Sequence, residues 1–251
     1  MARQLADQII LVTGATGSIG FEIAAQAAES GATVAVHGSR AERVDDAIAR
    51  LLARVPDARL IAAQADFRTV DGIERMVDAV VRETGRLDSL VHCAVAGAPG
   101  VVGVFADTDP TAFVEHAGLV IGSFQRLCAA ALPHLAREGG TIIGFASDAG
   151  RFAAARQSLV GAAFGGVMTF VRNLAMESAR DRIRVHCVSP SFVEGTRAFQ
   201  AHAGRAATAA SRAGLGLPTP ADIAPTVLFL CGPAATKITG QVISINGGLN
   251  V

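Results

Sequence analysis

Gln8-Ile9-Ile10-Leu11-Val12-Thr13-Gly14-Ala15-Thr16-Gly17-Ser18-Ile19-Gly20 is the stretch that decides the fold. Gln8 to Val12 is a short run rich in β-branched residues and reads as a strand, which Thr13-Gly14 interrupts. From Ile19 to Ser30 apolar residues recur at helical spacing (Ile19, Ile23, Ala27) and stop at Gly31, so a helix follows the turn. Glycine at the strand end lets the backbone turn with positive φ and lets a pyrophosphate approach without meeting a Cβ. The helix behind it offers unpaired N–H groups and the positive end of its dipole to that phosphate. A glycine-rich string is a weak signal alone; after the first strand and opening a helix, it marks a dinucleotide site.

Outward from this turn the same alternation repeats. Thr33 to Val36 reads as the next strand, Ala41 to Arg54 as a polar helix and Leu60 to Ala63 as a third strand. Val70 to Glu83 is amphipathic, with Ile73, Val77 and Val80 on one face. Leu90 to Cys93 is a fourth strand, and Thr111 to Arg137 reads as one long helix with Gly118 or Gly122 as its point of interruption. Strands at Thr141 to Ala146, Arg184 to Val188 and Gln241 to Ile245 follow, with helices at Val160 to Ala179 and Pro220 to Leu230. Ser191 to Leu217 is a loose Ala/Gly-rich stretch. Strands without a polar face that alternate with helices predict a parallel sheet covered on both sides. The class is therefore α/β, a doubly wound, Rossmann-like sheet of about seven strands. With no linker and no composition break, residues 1–251 read as one domain.

Composition removes several functions. Lys plus Arg and Asp plus Glu number 22 each, so a chain without net charge or a basic tract gives no case for nucleic acid. The longest apolar run, Leu159 to Val171, falls short of the roughly 18 residues of a membrane helix, and the N-terminus does not read as a secretory signal. Cys93, Cys128, Cys187 and Cys231 lie far apart among apolar neighbours, as reduced buried thiols do, and the six histidines lack metal-ligand spacing. The expectation is a cytoplasmic protein without metal. Tyrosine and tryptophan are both absent, which excludes any mechanism that uses a phenol.

Cofactor choice is read at the end of the second strand, where an acidic residue would hold the ribose 2′-OH of NAD. The sequence there is His37-Gly38-Ser39-Arg40, without a carboxylate. Arg40 is placed to pair with a 2′-phosphate and Ser39 to add a hydrogen bond, which favours NADP over NAD.

At this point the chain resembles the short-chain dehydrogenase/reductase family over essentially its whole length. Thr13 to Gly20 is similar to that family's T-G-x-x-x-G-x-G, with Ser18 at its middle glycine. Asp66-Phe67 resembles the pair that faces adenine. Leu87 to Val95 resembles the stretch ending N-N-A-G, with Cys93 and Ala94 within it, both Asn lost and Val95 for glycine. Arg182 to Pro190 is similar to I-R-V-N-x-V-x-P-G, and Ile238 to Gly248 to I-T-G-Q…D-G-G, with Asn246 at the Asp. The resemblance implies that Gly14, Thr16, Gly17, Ser18, Ile19, Gly20, Ser39, Arg40, Asp66, Phe67, Cys93, Ala94 and Pro190 hold the dinucleotide. It also implies that 191–217 is a substrate lid. Helices around 124–135 and 160–176 would pair subunits in a homotetramer or homodimer.

The same resemblance implies a Ser, Tyr, Lys and Asn tetrad, with the Tyr hydroxyl protonating a carbonyl oxygen and Lys four residues later on the same helix face. Ser147 aligns with the serine. Counting on without a gap puts Val160 at the tyrosine and Phe164 at the lysine, while the Asn position falls near Leu119 or Val120. No other register supplies the pair, because the chain has no Tyr and its one Lys is Lys237. A general acid contributes about 10²- to 10⁴-fold, roughly 3 to 5 kcal/mol of barrier.

Three readings follow. One is a family member that binds NADP(H) and an unknown small molecule without ordinary reductase activity. Another is an oxidoreductase in which Ser147 orients a carbonyl while Asp148, His92, His116 or Arg151 supplies the proton. The third is a non-redox enzyme on the same scaffold. Each substitute donor also has an ordinary role: Asp148 and Arg151 suit a surface loop, His92 a strand end and His116 an exposed helix turn.

Overall fold

A computed structural model describes residues 5–69, 71–94 and 99–250. Seven strands form one parallel sheet in the order β3-β2-β1-β4-β5-β6-β7. They are β1 (Ile9–Thr13), β2 (Thr33–Gly38), β3 (Arg59–Gln64), β4 (Ser89–His92), β5 (Gly140–Phe145), β6 (Ile183–Pro190) and β7 (Val242–Ile245). The helices are α1 (Ser18–Glu29), α2 (Ala41–Arg54), α3 (Gly72–Thr84), α4 (Phe113–Ala117), α5 (Ser123–Leu135), α6 (Ser158–Ser178), α7 (Arg197–Ala201), α8 (Ala203–Ala210) and α9 (Pro220–Cys231). The expected elements are present within a few residues of their sequence bounds. The expected helix start at Val70 and the Val95 position lie outside the described residues.

The central strands are apolar on both faces because helices cover both. Along fully buried β1, Leu11 faces one core with α3, α5 and α6, while Ile10 and Val12 face the other with α1 and α9. Each such side chain contributes about 1.5–3 kcal/mol by leaving water. The strand order reverses between β1 and β4, which pair in parallel from Ile10↔Ser89 to Thr13↔His92. Adjacent chains there leave in opposite directions and open a crevice at the C-terminal strand ends.

Two expectations need correction. The segment 113–135 is not broken at Gly118 or Gly122: α4 and α5 are joined by a widened π-type turn, Gly118–Gly122, with both glycines in the right-handed helical region. The Ser123 hydroxyl donates to the Leu119 carbonyl at 2.6 Å, occupying an acceptor in the widened turn. The stretch 191–217 is not loose throughout, since it contains α7 and α8. Alanine is the best helix former, and Thr196 caps α7 by accepting from the Phe199 N–H at 3.2 Å.

By length and composition alone, 158–181 would pass for a membrane span. In the fold Ala163, Val167, Val171 and Ala175 of α6 are buried in the core beneath the sheet. All four cysteines are free, three of them buried.

Candidate functional site

The turn after β1 sits where the sheet reverses. Gly14 has φ +72°, and a Cβ there would lie 2.7 Å from the Ala94 backbone nitrogen at the end of β4. A Cβ on Gly20 would lie 2.4 Å from the Gly14 carbonyl oxygen, so α1 packs directly against the turn. Gly17 has only that carbonyl near it, at 3.4 Å, and leaves the helix N-terminus open. This cradle fits a dinucleotide pyrophosphate.

The groove in front of it has a volume of about 570 Å³. Gly14, Thr16, Gly17, Ser18, Ile19 and Gly20 form one wall; Ser39, Asp66, Phe67, Cys93 and Ala94 form the rest of the expected set. Pro190 lines an adjoining cavity of about 790 Å³ instead, and Ile19 and Cys93 line both hollows. Arg40 lines neither. It precedes α2 with extended dihedrals, whereas Arg43 and Arg50, seven residues apart and thus on one helix face, line the groove. Arg50 also lies 4.3 Å over the Phe21 ring. Helical phase from residue 41 onward would have pointed to Arg43. A Cβ on Gly38 would come within 2.6 Å of Thr16 Cγ2 and 3.0 Å of Val44 Cγ2, so a side chain at the end of β2 would have to push these methyl groups aside.

His37 holds the turn from behind. Its Nδ1 accepts from the Gly14 N–H at 3.0 Å, and its Nε2–H donates to the Ala65 carbonyl at 3.1 Å, which fixes a neutral tautomer. Its ring stacks on Phe67 with centroids 4.5 Å apart. His92 bonds Thr13 Oγ1 through Nδ1 at 2.8 Å and stacks on Phe124.

Ser147 opens a short turn after β5, and its Oγ accepts from the Ala149 N–H at 3.3 Å. The turn is pressed against α6: a Cβ on Gly150 would lie 2.6 Å from the Gly165 nitrogen, and one on Gly161 2.6 Å from the Ala149 oxygen. These contacts bring Ser147, Val160 and Phe164 together in the wall of the larger cavity. Val120 of the widened turn lines this cavity and Leu119 lines the groove.

A sequence model of the family described as enoyl-(acyl carrier protein) reductase matches residues 14–250. The chain belongs to the short-chain dehydrogenase/reductase family. The cis-4-hydroxycyclohexanecarboxylate dehydrogenase of Sinomonas cyclohexanicum is 30% identical, over 99% of this chain and 98% of its own. The peroxisomal 2,4-dienoyl-CoA reductase of Saccharomyces cerevisiae is 29% identical, over 96% and 84%. A solved short-chain type dehydrogenase/reductase from Mycobacterium ulcerans has a TM-score of 0.91 at 26% identity, covering 98% of this chain and 90% of that one. A 7α-hydroxysteroid dehydrogenase complexed with NADH and 7-oxo glycochenodeoxycholic acid has a TM-score of 0.89 at 26% identity, covering 98% and 95%. The family binds a nicotinamide dinucleotide and a small-molecule substrate.

For this short-chain dehydrogenase/reductase, Asp148 and His116 sit differently from the ordinary roles that the sequence suggests, while His92 at the end of β4 and exposed Arg151 match them. Asp148 is buried, not in a surface loop, and accepts from Ser189 Oγ at 3.0 Å, Ser244 Oγ at 2.9 Å and Asn246 Nδ2 at 2.6 Å. His116 is also buried, at 3% exposure, and lines the cavity, with the Leu159 carbonyl beside its ring. Burial lowers its pKa, and the Leu159 carbonyl pulls it partly back. Arg151 is exposed and donates to Ser244 Oγ at 3.3 Å. Among the described residues no group of His, Cys, Asp and Glu could hold a metal ion.

Burial lowers His37 from 6.5 to about 4, with the Ala65 carbonyl opposing, and His92 to about 3, with His37 adding to the effect. Below pH 6.5 the unfolded chain takes up protons at these rings while the folded protein does not. Stability is therefore full above that pH and falls toward pH 4, by about 1.4 kcal/mol per pH unit for each ring. Denaturant melts from pH 7 to 4.5 should show this loss, and His37→Gln should flatten the slope. An unchanged slope would contradict the assignment.

Proposed function

We propose that this chain is an NADP(H)-binding short-chain dehydrogenase/reductase protein without ordinary carbonyl-reductase activity. The observation that carries this is the company Ser147 keeps. Val160 and Phe164 share its cavity at the positions where the family's acid and cation would stand, and an isopropyl group and a phenyl ring donate no proton. When bound, the nicotinamide would supply hydride chemistry. The chain's own part is to cradle the pyrophosphate at Gly14 to Gly20, to face the adenine end with Asp66 and Phe67, and to hold a substrate oxygen at Ser147. Preference for NADP over NAD is supported by the crowded Gly38 and by Ser39 and Arg43 in the groove wall, with Arg40 next to them in sequence. The segment 191–217 acts as the lid.

A second reading, an active NADP-dependent oxidoreductase, draws support from His116, whose buried ring lines the cavity with Ser147. We assign the cytoplasm as compartment. Subunits would pair through α5 and α6 as a homodimer or homotetramer, which accounts for Met176 being 82% exposed on α6.

Three experiments test these assignments. In calorimetric titrations NADPH should bind about tenfold more tightly than NADH, with Arg43→Ala removing most of the difference and Arg40→Ala less. Equal affinities, or no binding, would sink the cofactor assignment. Across ketones, aldehydes and enoyl thioesters, NADPH oxidation should stay near background. Turnover abolished by both Ser147→Ala and His116→Gln would favour the second reading. Light scattering should give a mass of at least twice 25.6 kDa; a monomer would overturn the pairing.

A further inference from the structure

The cavity beside Ser147 has a charge imbalance that the dinucleotide groove does not use. Its apolar walls include Val101, Phe152 and Phe192. Asp148 is the one carboxylate side chain among its described lining residues, and three donors already occupy it. Two guanidinium groups line the same space, Arg205 of α8 and beyond it Arg212, which is exposed. Neither has a carboxylate partner among the described residues. Arg205 is half-buried and lies 5.9 Å over the Phe192 ring, so its charge sits beside apolar wall with part of its hydration lost. His116, more than nine-tenths buried, lines the cavity too and adds no negative charge.

We propose that this cavity binds an amphipathic anion: one apolar body with a single oxyanion head, a carboxylate or a phosphate monoester, paired with Arg205 and Arg212. The inference rests on the proposed lid role of 191–217. A guanidinium presents a planar fork of donors that matches an oxyanion in a bidentate pair, and the match is stronger where water is partly excluded. A cavity of about 790 Å³ lies within the range that takes a small molecule whole. The aromatic and branched walls accept the apolar body, and the two arginines fix which end enters the lid side. Neutral and cationic molecules of the same shape leave the guanidinium charge unmatched.

The test uses the full-length protein and isothermal calorimetry with decanoate, decyl phosphate, decan-1-ol and decyltrimethylammonium, each below its micellar concentration. Decanoate or decyl phosphate should bind at least about tenfold more tightly than decanol, and the ammonium salt should not bind. The tighter of the two acids names the head group. Arg205→Ala with Arg212→Ala should bring acid and alcohol to equal affinity, and the double Lys variant should restore part of the preference. Equal affinity of acid and alcohol for the unaltered protein, undiminished acid binding by the double Ala variant, or no binding of any probe would each overturn the proposal. NADPH titrated into the same samples keeps the two readings apart. Its binding should not change in the double Ala variant, and its failure alongside decanoate binding would fell only the cofactor assignment.

Discussion

At the end of β1 the backbone passes so close to its neighbours that a side chain cannot be accommodated. The Gly14 position faces the Ala94 backbone at the end of β4, and Gly20 faces the Gly14 carbonyl. These two contacts hold the first turn in the crevice created by the reversal of strand order. They set the direction in which α1 departs, and thereby aim its N-terminus at the groove. His37 braces the same turn from β2 by accepting the Gly14 N–H, and its stacking on Phe67 ties the turn to the loop after β3. The direction of α1, the cradle and the groove wall all follow from one packing constraint at that reversal.

A second close approach of the same kind organises the cavity. The turn that carries Ser147 is locked to α6 through Gly150 and Gly161, so α6 brings residues 160 and 164 to the serine whatever their chemistry. Here those residues are Val and Phe, and Phe164 also packs against the core cluster beneath the sheet. Ser147 thus stands in a cavity wall whose neighbours from α6 are apolar. Polar character lies elsewhere in the cavity wall, at Asp148 with its three donors, at buried His116 and at Arg205 and Arg212. Such a cavity is suited to selecting a ligand by shape and charge.

Much of this is legible in the sequence because it depends on local spacing. The alternation of strands and helices and the glycine-rich turn after the first strand follow from residues close together in the chain. The positions of Val160 and Phe164 follow from an ungapped count from Ser147. Even the irregular region at Gly118 to Gly122 carries a local mark, although glycine there accompanies a widened turn and not a break. Local spacing does not reveal the helical phase of α2, which brings Arg43 to the groove wall while Arg40, just ahead of the helix, lines neither hollow. It fails again for Asp148, which reads as a loop residue until Ser189, Ser244 and Asn246 arrive from 41, 96 and 98 residues away.

By itself, then, the sequence determined the class of fold, the cradle at Gly14 to Gly20 and the absence of a phenol and a suitably placed lysine, because these are matters of residue type and short-range period. Only the tertiary structure decided which charges are buried, paired or left facing a cavity. Those properties depend on distance and desolvation among groups brought together from several strands and helices, and no periodicity along the chain encodes them. Asp148 is satisfied and buried, His116 is buried beside the cavity, and Arg205 lies over the Phe192 ring without a carboxylate partner among the described residues. In the sequence all three stand as ordinary polar residues.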